Sequence, residues 1–177
     1  DKGLVPFLDM AYQGFADGID ADAVAVRALS NSGLQFFIAS SFSKSFSLYG
    51  ERVGALSIIT ASKEESACVM SQVKRVIRTN YSNPPTHGGA LVAGVLASPE
   101  LRQMWETELA GMRDRIRGMR TTLVDAIKAQ GVAQDFSFIV PEPGRFSYTG
   151  LTDAPGERMN EEFGDYAEGG GGSSGGA

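Results

Sequence analysis

The residues best able to do chemistry lie in the segment Ser41-Phe42-Ser43-Lys44, which places two hydroxyl groups and an amine within one turn. Arg52 follows the lysine eight residues later. A lysine attacks a carbonyl only as the neutral amine, and burial and a neighbouring cation such as Arg52 both favour loss of its proton. The cluster could therefore hold a phosphate group and an aldehyde. The alternative is that Lys44 is a solvated loop lysine and that Arg52 pairs with Glu51.

Short apolar runs indicate that an α/β fold positions this cluster. Residues 4–8 form an apolar run that predicts a buried strand of a parallel sheet, with Asp9 at its C-terminal end. Residues 21–30 have helical spacing, and residues 35–39 and 53–59 form two further apolar runs. The order strand, helix, strand, strand is typical of α/β proteins. The hydroxyl and amine cluster would then directly follow the second strand.

Three helices are predicted after this sheet. Ser62 and Glu65 form a capping box, which opens an amphipathic helix that ends near residue 79. A helix of small residues follows over 89–97, and a long helix with one apolar stripe covers 98–130. We expect the long helix to connect two domains.

The rest of the chain predicts a smaller α+β unit. Residues 136–140 and 146–148 are predicted strands, separated by a Pro-Glu-Pro-Gly turn. We therefore divide the chain into three parts: 1–97, the C-terminal part of a large domain; 98–166, an incomplete small domain beginning with the long helix; and 167–177, a Gly/Ser-rich tail that we expect to be flexible and outside the fold.

Composition and single residues argue against several partners. There are 16 Lys and Arg against 21 Asp and Glu, a net charge of -5, so we expect no nucleic acid partner. No apolar run reaches the roughly 20 residues that cross a bilayer, so we expect no membrane partner. Cys68 is the only cysteine, which favours a reducing compartment and a cytoplasmic location. His87 is the only histidine, so we expect it to make a turn-stabilising hydrogen bond and expect no metal site.

Four segments resemble those of aspartate and aromatic amino acid aminotransferases, which depend on pyridoxal 5'-phosphate. Residues 40–54, with the sequence SSFSKSFSLYGERVG, are similar to the segment that carries the cofactor lysine. Residues 9–15, DMAYQGF, resemble the segment that contacts the pyridine ring. Residues 78–88, RTNYSNPPTHG, resemble the segment that reaches into the partner subunit's site, and residues 146–151, FSYTGL, resemble one in the small domain. The resemblance runs from about residue 4 to residue 166.

This resemblance implies the fold of the family. It would be a partial three-layer α/β/α large domain that binds pyridoxal phosphate, followed by a small α+β domain. It also implies the activity, which is transfer of an amino group between an aromatic or acidic amino acid and a 2-oxo acid. Arg78 and the segment 45–49 favour aromatic substrates alongside aspartate and glutamate.

The resemblance also assigns catalytic roles. Lys44 would form a Schiff base with the cofactor and then carry the proton between the substrate and the cofactor. Asp9 would keep the pyridine nitrogen protonated, so that the ring withdraws electrons from the substrate carbanion. Tyr12 would donate a hydrogen bond to the phenolic oxygen of the ring; the alternative is a core tyrosine.

The remaining assignments concern anions and the substrate. Ser41 and Arg52 would hold the cofactor phosphate, Arg52 through a bidentate fork, and Ser82 would reach the same phosphate from the other subunit. Arg78 would bind the distal carboxylate of a dicarboxylic substrate across the interface, although it could also be a surface arginine at a helix end. Phe146 would contact the substrate. Residues that act across an interface imply a homodimer.

Three alternatives stay open. The protein could be an aspartate aminotransferase, because acidic and aromatic substrates can share one site. It could be a non-catalytic domain with an aminotransferase-like fold, such as the effector domain of a regulator. It could also be a fragment unable to fold alone, because its sheet exposes strand edges.

The chain departs from the family pattern in several places. The family's N-terminal half supplies a Gly-containing phosphate loop, an aromatic ring stacked on the cofactor and an asparagine, and this sequence contains none of these segments. The Gly-rich tail stands where the segment leading to an α-carboxylate-binding arginine should begin, and Arg145 replaces a usually apolar residue. The chain also opens at Asp1 without a Met. We therefore expect a fragment of an aminotransferase that is inactive alone.

Overall fold

The structure is a computed structural model that describes residues 3–151, 153–163 and 172–174. Contacts between Cα atoms divide the chain into two units. The first comprises the described residues up to Gly14 together with Ile19–Thr107, and the second comprises Phe15–Gly18 and the described residues from Glu108 onwards. The boundaries that we place at residues 97 and 166 stay predictions.

A three-stranded mixed sheet forms the centre of the first unit. The sheet has the order β1-β2-β3, and its strands are Phe7–Met10 (β1), Phe36–Ser41 (β2) and Gly54–Ile59 (β3). β1 and β2 run parallel, so their C-terminal ends meet at one edge of the sheet. β3 runs antiparallel to β2 and begins at that same edge, where Gly54 lies opposite Ser41. The segment 42–53, which connects β2 to β3, therefore begins and ends at this edge of the sheet.

The prediction of a buried first strand over residues 4–8 is wrong. The strand begins at Phe7, and the side chains of Leu4 and Phe7 are 78% and 61% exposed. A continuous apolar strand is buried only where both faces of the sheet are covered, and β1 is an edge strand of a three-stranded sheet. Asp9 accordingly lies within β1 rather than after it, and its side chain is exposed.

The helices of the sequence prediction are all present. Their bounds are Val24–Asn31 (α1), Lys63–Asn80 (α2), Thr86–Ala97 (α3) and Pro99–Ala129 (α4), and short 3-10 turns cover Ala21–Ala23 and Tyr49–Glu51. Ser62 caps α2 as predicted, because its Oγ accepts a hydrogen bond from the Glu65 amide at 3.1 Å. The Glu65 carboxylate accepts from the Ala61 amide at 2.8 Å. The buried side chains Phe36, Ile38 and Val92 contribute to the apolar core of this unit.

In the second unit, buried apolar side chains lie on α4 and on the 3-10 turn Ser137–Ile139. They are Leu109, Ile116, Val124 and Ile139. A further helix, Asp153–Phe163 (α5), follows the strand Phe146–Tyr148 (β4). β4 pairs antiparallel with a fifth strand, Gly172–Ser174 (β5).

Two parts of this unit differ from the sequence prediction. The strand predicted over 136–140 is wrong, because Ser137–Ile139 is a 3-10 turn. The Asp135 carboxylate accepts hydrogen bonds from the amide and the hydroxyl of Ser137, at 2.9 and 2.8 Å, which closes the chain into a turn. We expect the tail 167–177 to be flexible, whereas the structure pairs Gly172–Ser174 with β4. That pairing needs only backbone groups, which a Gly-rich segment also has; the rest of the tail lies outside the described residues.

No helix in the described part of the chain combines the length and the apolar character that crossing a bilayer requires.

Candidate active site

The predicted lysine lies in a tight turn that directly follows β2. The Phe46 amide donates to the Phe42 carbonyl and the Ser47 amide to the Lys44 carbonyl, both at 3.2 Å. The Ser43 amide donates to Ser41 Oγ at 3.2 Å. Ser43 is buried, whereas Lys44 is half-buried. Local hydrogen bonds therefore fix a turn that presents the amine at the edge of the sheet.

The structure brings Lys44 and Tyr12 together. The Lys44 Nζ atom lies 4.7 Å from the centroid of the Tyr12 ring, an arrangement in which a cation interacts with the face of an aromatic ring. Tyr12 stands three residues after Asp9, whose Cα is paired with that of Ala39 in the parallel ladder. The segments 9–15 and 40–54 thus meet at the common end of β1 and β2.

The first half of α4 supports the turn from outside. Trp105 Nε1 donates a hydrogen bond to the Ser45 carbonyl at 2.6 Å, and the Trp105 ring stacks on Phe46 with a centroid distance of 4.4 Å. A cavity of about 280 Å³ next to the turn is lined in part by Ser41, Phe46, Trp105 and Arg102. The sequence predicts Trp105 only as part of the apolar stripe of the long helix. The signal for its role is the indole N–H, which needs a hydrogen-bond partner when the ring is packed.

Arg52 stands just before β3, at the same edge of the sheet. Its backbone is left-handed, with φ 52°, and its Nη1 donates to the Tyr49 carbonyl at 3.1 Å. The Phe42 amide donates to the Val53 carbonyl at 3.2 Å, which ties the residue after Arg52 to the start of the Lys44 turn. The side chain of Arg52 is exposed.

Glu51 pairs with His87 in this structure. The Glu51 Oε2 atom lies 2.9 Å from His87 Nδ1, across 36 residues of sequence. The hydrogen bond predicted for His87 is therefore confirmed, and its partner lies in the 3-10 turn Tyr49–Glu51. The alternative prediction, an ion pair between Glu51 and Arg52, is wrong, because Glu51 pairs with His87 and Arg52 donates to the Tyr49 carbonyl.

Arg78 and Ser82 form a second cluster, at the end of α2. The Arg78 Nη1 atom donates to Ser82 Oγ, and the backbone of Ser82 is left-handed, with φ 68°. Arg78 is exposed. Within the described residues, no hydrogen bond or ion pair joins this cluster to the Lys44 turn.

Phe146 belongs to the second unit and stands at the start of β4, with 42% of its surface exposed. The strand around it is held by Arg120, which is buried in α4. Arg120 Nε donates to Ser147 Oγ at 2.7 Å, and Nη2 donates to the carbonyls of Gly144 and Phe146 at 2.6 and 2.9 Å.

Burial lowers the pKa of the Arg120 guanidinium, and the nearby Glu142 carboxylate opposes that shift. Arg120 is not among the residues that the sequence predicts to be functional. The sequence does contain a signal, because Arg120 is spaced by four residues from each of the buried residues Ile116 and Val124, on the apolar face of α4.

Comparison with known proteins identifies the family. Residues 1–165 match the family model described as aminotransferase class I and II. The chain belongs to this family. It is 65% identical to an aspartate aminotransferase of Pseudomonas aeruginosa, over 94% of this chain and 42% of that aminotransferase. It is 45% identical to an aromatic-amino-acid aminotransferase of Escherichia coli, over 93% of this chain and 42% of that protein.

Solved aminotransferase structures share the fold. An aromatic-amino-acid aminotransferase from Burkholderia pseudomallei, covalently bound to pyridoxal phosphate, matches with a TM-score of 0.92 and 65% identity, over 97% of this chain and 43% of that one. The predicted family is confirmed, and the fold is that of an aminotransferase, with helices and a mixed sheet. The chain spans about two fifths of the length of these relatives.

Proposed function

We propose that this chain supplies the C-terminal part of an active site that transfers an amino group between an amino acid and a 2-oxo acid, with pyridoxal phosphate as cofactor. The observation that carries the proposal is the position of Lys44, in a hydrogen-bonded turn at the end of β2 with its amine 4.7 Å from the Tyr12 ring. Both residues lie in segments that resemble aminotransferase motifs. A relative of 65% identity holds pyridoxal phosphate covalently, which supports the same chemistry here.

The chemistry of the donor set fits this cofactor. Lys44 offers an amine for the aldehyde. Ser41 Oγ accepts the Ser43 amide, which leaves its own O–H able to donate to a phosphate oxygen. Arg52 donates one N–H of Nη1 to the Tyr49 carbonyl. A guanidinium has five N–H donors in total, so others can donate to a phosphate. The exposed Asp9 carboxylate could hold a proton on a ring nitrogen.

Each residue then has a defined task. Pyridoxal phosphate would supply an aldehyde and a ring that withdraws electrons. Lys44 would hold the aldehyde and, as a free amine, would move the proton at the substrate Cα. Asp9 would hold the proton on the ring nitrogen, and Tyr12 would donate a hydrogen bond to the phenolic oxygen. Ser41 and Arg52 would bind the phosphate.

The substrates that we propose are aromatic and acidic amino acids. Relatives of both substrate types match at similar coverage, the 65% identical aspartate aminotransferase and the 45% identical aromatic-amino-acid aminotransferase. Aspartate aminotransferase activity is therefore the second candidate. Arg78 would bind the distal carboxylate of an acidic substrate, and Phe146 would contact the substrate from the small domain. Kinetics of the whole parent protein with tyrosine and aspartate distinguish the two.

We also propose the parent's assembly. The exposed Arg78, hydrogen-bonded to Ser82, supports a homodimer in which both residues serve the other subunit's site. The finer fold proposal is a three-layer α/β/α large domain followed by a small α+β domain. The single cysteine, Cys68, is the observation behind the proposed cytoplasmic location.

Reduction with borohydride in the presence of pyridoxal phosphate tests the assignment of Lys44. We expect peptide mass analysis to find the reduced cofactor on Lys44, and we expect Lys44→Ala to lose it. Lys74→Ala, which removes an exposed lysine of α2, is the matched control and should retain the adduct. An adduct spread over the surface lysines, and unchanged in Lys44→Ala, would contradict the proposal.

A further inference from the structure

The N-terminal end of α3 packs against both neighbours of Arg52. His87 Nδ1 lies 2.9 Å from the Glu51 carboxylate. Gly88 is buried, and a Cβ atom at this position would come within 2.9 Å of Glu51 Cβ and 3.0 Å of Val53 Cβ. The residues directly before and after Arg52 are therefore both in close contact with α3.

Arg52 needs such support because of its backbone. A φ of 52° is a left-handed backbone conformation that residues other than glycine rarely adopt, and it persists only where the surroundings impose it. The local hydrogen bonds, from the Glu51 amide to the Leu48 carbonyl and from Arg52 Nη1 to the Tyr49 carbonyl, belong to the same short turn. Support from outside the turn comes from α3 and from the bond between Phe42 and Val53.

The contact with α3 contributes little to the core. The His87 side chain is 71% exposed and the Glu51 side chain is 34% exposed, and ion pairs of such exposure add little to stability. The Gly88 backbone does not have a positive φ, so glycine is required there for space and not for conformation. What the contact does is fix the position of residues 51 and 53.

We propose that Glu51, His87 and Gly88 are positioning residues, which hold the backbone of Arg52 in its left-handed conformation and so aim its guanidinium at a phosphate ester. The inference rests on the proposed function, in which the phosphate is that of the cofactor. Without the contact, Arg52 would relax toward an ordinary backbone conformation and its side chain would leave the phosphate site.

The test compares two aldehydes that differ only in the phosphate, pyridoxal phosphate and pyridoxal. Their apparent affinities for Lys44 are measured by titration followed by borohydride and mass analysis. We expect the unsubstituted chain to prefer pyridoxal phosphate by about tenfold or more, because charge-assisted hydrogen bonds hold the phosphate. In Glu51→Ala, His87→Ala and Gly88→Ala the preference should fall to about threefold or less, while pyridoxal binds as before. A general loss of structure would instead weaken both ligands equally.

Two further variants sharpen the comparison. Glu51→Gln keeps an acceptor for His87 and should stay within about twofold of the unsubstituted chain. Glu162→Ala breaks an exposed ion pair, with Arg158, and should leave the preference unchanged. A nuclear Overhauser measurement checks the backbone directly, because a positive φ brings the amide and Hα protons of Arg52 closer together. That short distance should lengthen in Glu51→Ala.

The outcomes separate the two proposals. If the unsubstituted chain forms no adduct at Lys44, or shows no preference for the phosphorylated ligand, the proposed function of this site fails and the positioning role fails with it. If the preference is present but persists in Glu51→Ala, His87→Ala and Gly88→Ala, only the positioning role is overturned.

Discussion

Arg120 shows how one buried charge can organise a segment. Its guanidinium donates to the Ser147 hydroxyl and to the carbonyls of Glu142, Gly144 and Phe146, so one side chain satisfies acceptors over the whole approach to β4. A buried guanidinium is stable only when such partners are present, and the partners in turn depend on it. These hydrogen bonds fix the position of Phe146, which we propose to contact the substrate.

Replacement of Arg120 by Met should therefore destabilise the second unit. Three carbonyls and a hydroxyl would lose a charged donor, and we expect a loss of about 2–4 kcal/mol in the free energy of unfolding. Urea unfolding followed by circular dichroism measures the loss, and hydrogen exchange of residues 142–148 locates it. Arg120→Lys should recover only part of the stability, because an ammonium group cannot reproduce the planar fork. Full recovery by lysine would contradict this account.

The site residues differ in how far the sequence predicts them. Lys44 and Tyr12 lie in contiguous motifs that resemble cofactor-binding segments, so the sequence alone predicts that the two residues belong to one site. Trp105 lies 61 residues after Lys44 and has no local pattern of its own. The pair of Glu51 and His87 is similar, because a contact across 36 residues leaves no trace in local spacing.

At the scale of elements, the start of α2 couples a cap to a titrating group. Ser62 Oγ accepts a hydrogen bond from the Glu65 amide. The pKa of Glu64 is lowered mainly by a hydrogen bond with the backbone and, to a smaller extent, by a hydrogen bond with the Ser62 side chain. A carboxylate in the first turn of a helix also interacts favourably with the helix dipole.

We expect acid to weaken the start of α2. Because the pKa of Glu64 is lowered on folding, its stabilising effect is complete above the ordinary value of about 4.5 and is lost as the pH falls through the lowered value. Ser62→Ala should cost about 1 kcal/mol and raise the Glu64 titration midpoint part of the way back. Carboxyl-carbon NMR of Glu64 measures the midpoint in both chains. A Glu64 midpoint that does not move in Ser62→Ala would contradict the assigned cause.

The elements themselves were predictable where local signals agree with tertiary structure. α2 and α4 combine a cap with a long apolar stripe, and the sequence predicts both with bounds close to those observed. The apolar residues over 136–140 predict a strand that is absent, because the Asp135 side chain closes a turn there. The apolar run 4–8 predicts β1 too early, because β1 is an edge strand that is not covered on both faces. β5 could not be predicted, since its pairing depends on backbone groups alone.

At the scale of the whole molecule, much apolar surface stays exposed. A groove of about 1190 Å³ in the first unit is lined by Phe37, Leu56, Ile58 and apolar residues of α2 such as Val76. Leu56 and Val76 are 55% and 63% exposed. Apolar patches of this kind are rare on monomeric proteins and usually belong to an interface.

The isolated chain should therefore bind a hydrophobic dye. We expect dye fluorescence to rise with this chain and to fall in Leu56→Thr/Val76→Thr, because both changes remove exposed apolar area without emptying the core. The urea midpoint should move little.

The isolated chain should not transaminate. The assay supplies tyrosine or aspartate with 2-oxoglutarate. A clear transamination rate from this chain alone would contradict the expectation that the site needs the rest of the parent.

The bond between Trp105 and the carbonyl beside Lys44 has an optical consequence. Trp105 is the only tryptophan in the sequence, so all indole emission from the chain originates one hydrogen bond away from the Lys44 turn. A pyridine chromophore attached to Lys44 would absorb at the wavelengths where indole emits, and resonance energy transfer over so short a distance would quench that emission. The protein thus carries its own fluorescent label for cofactor binding, readable without any modification.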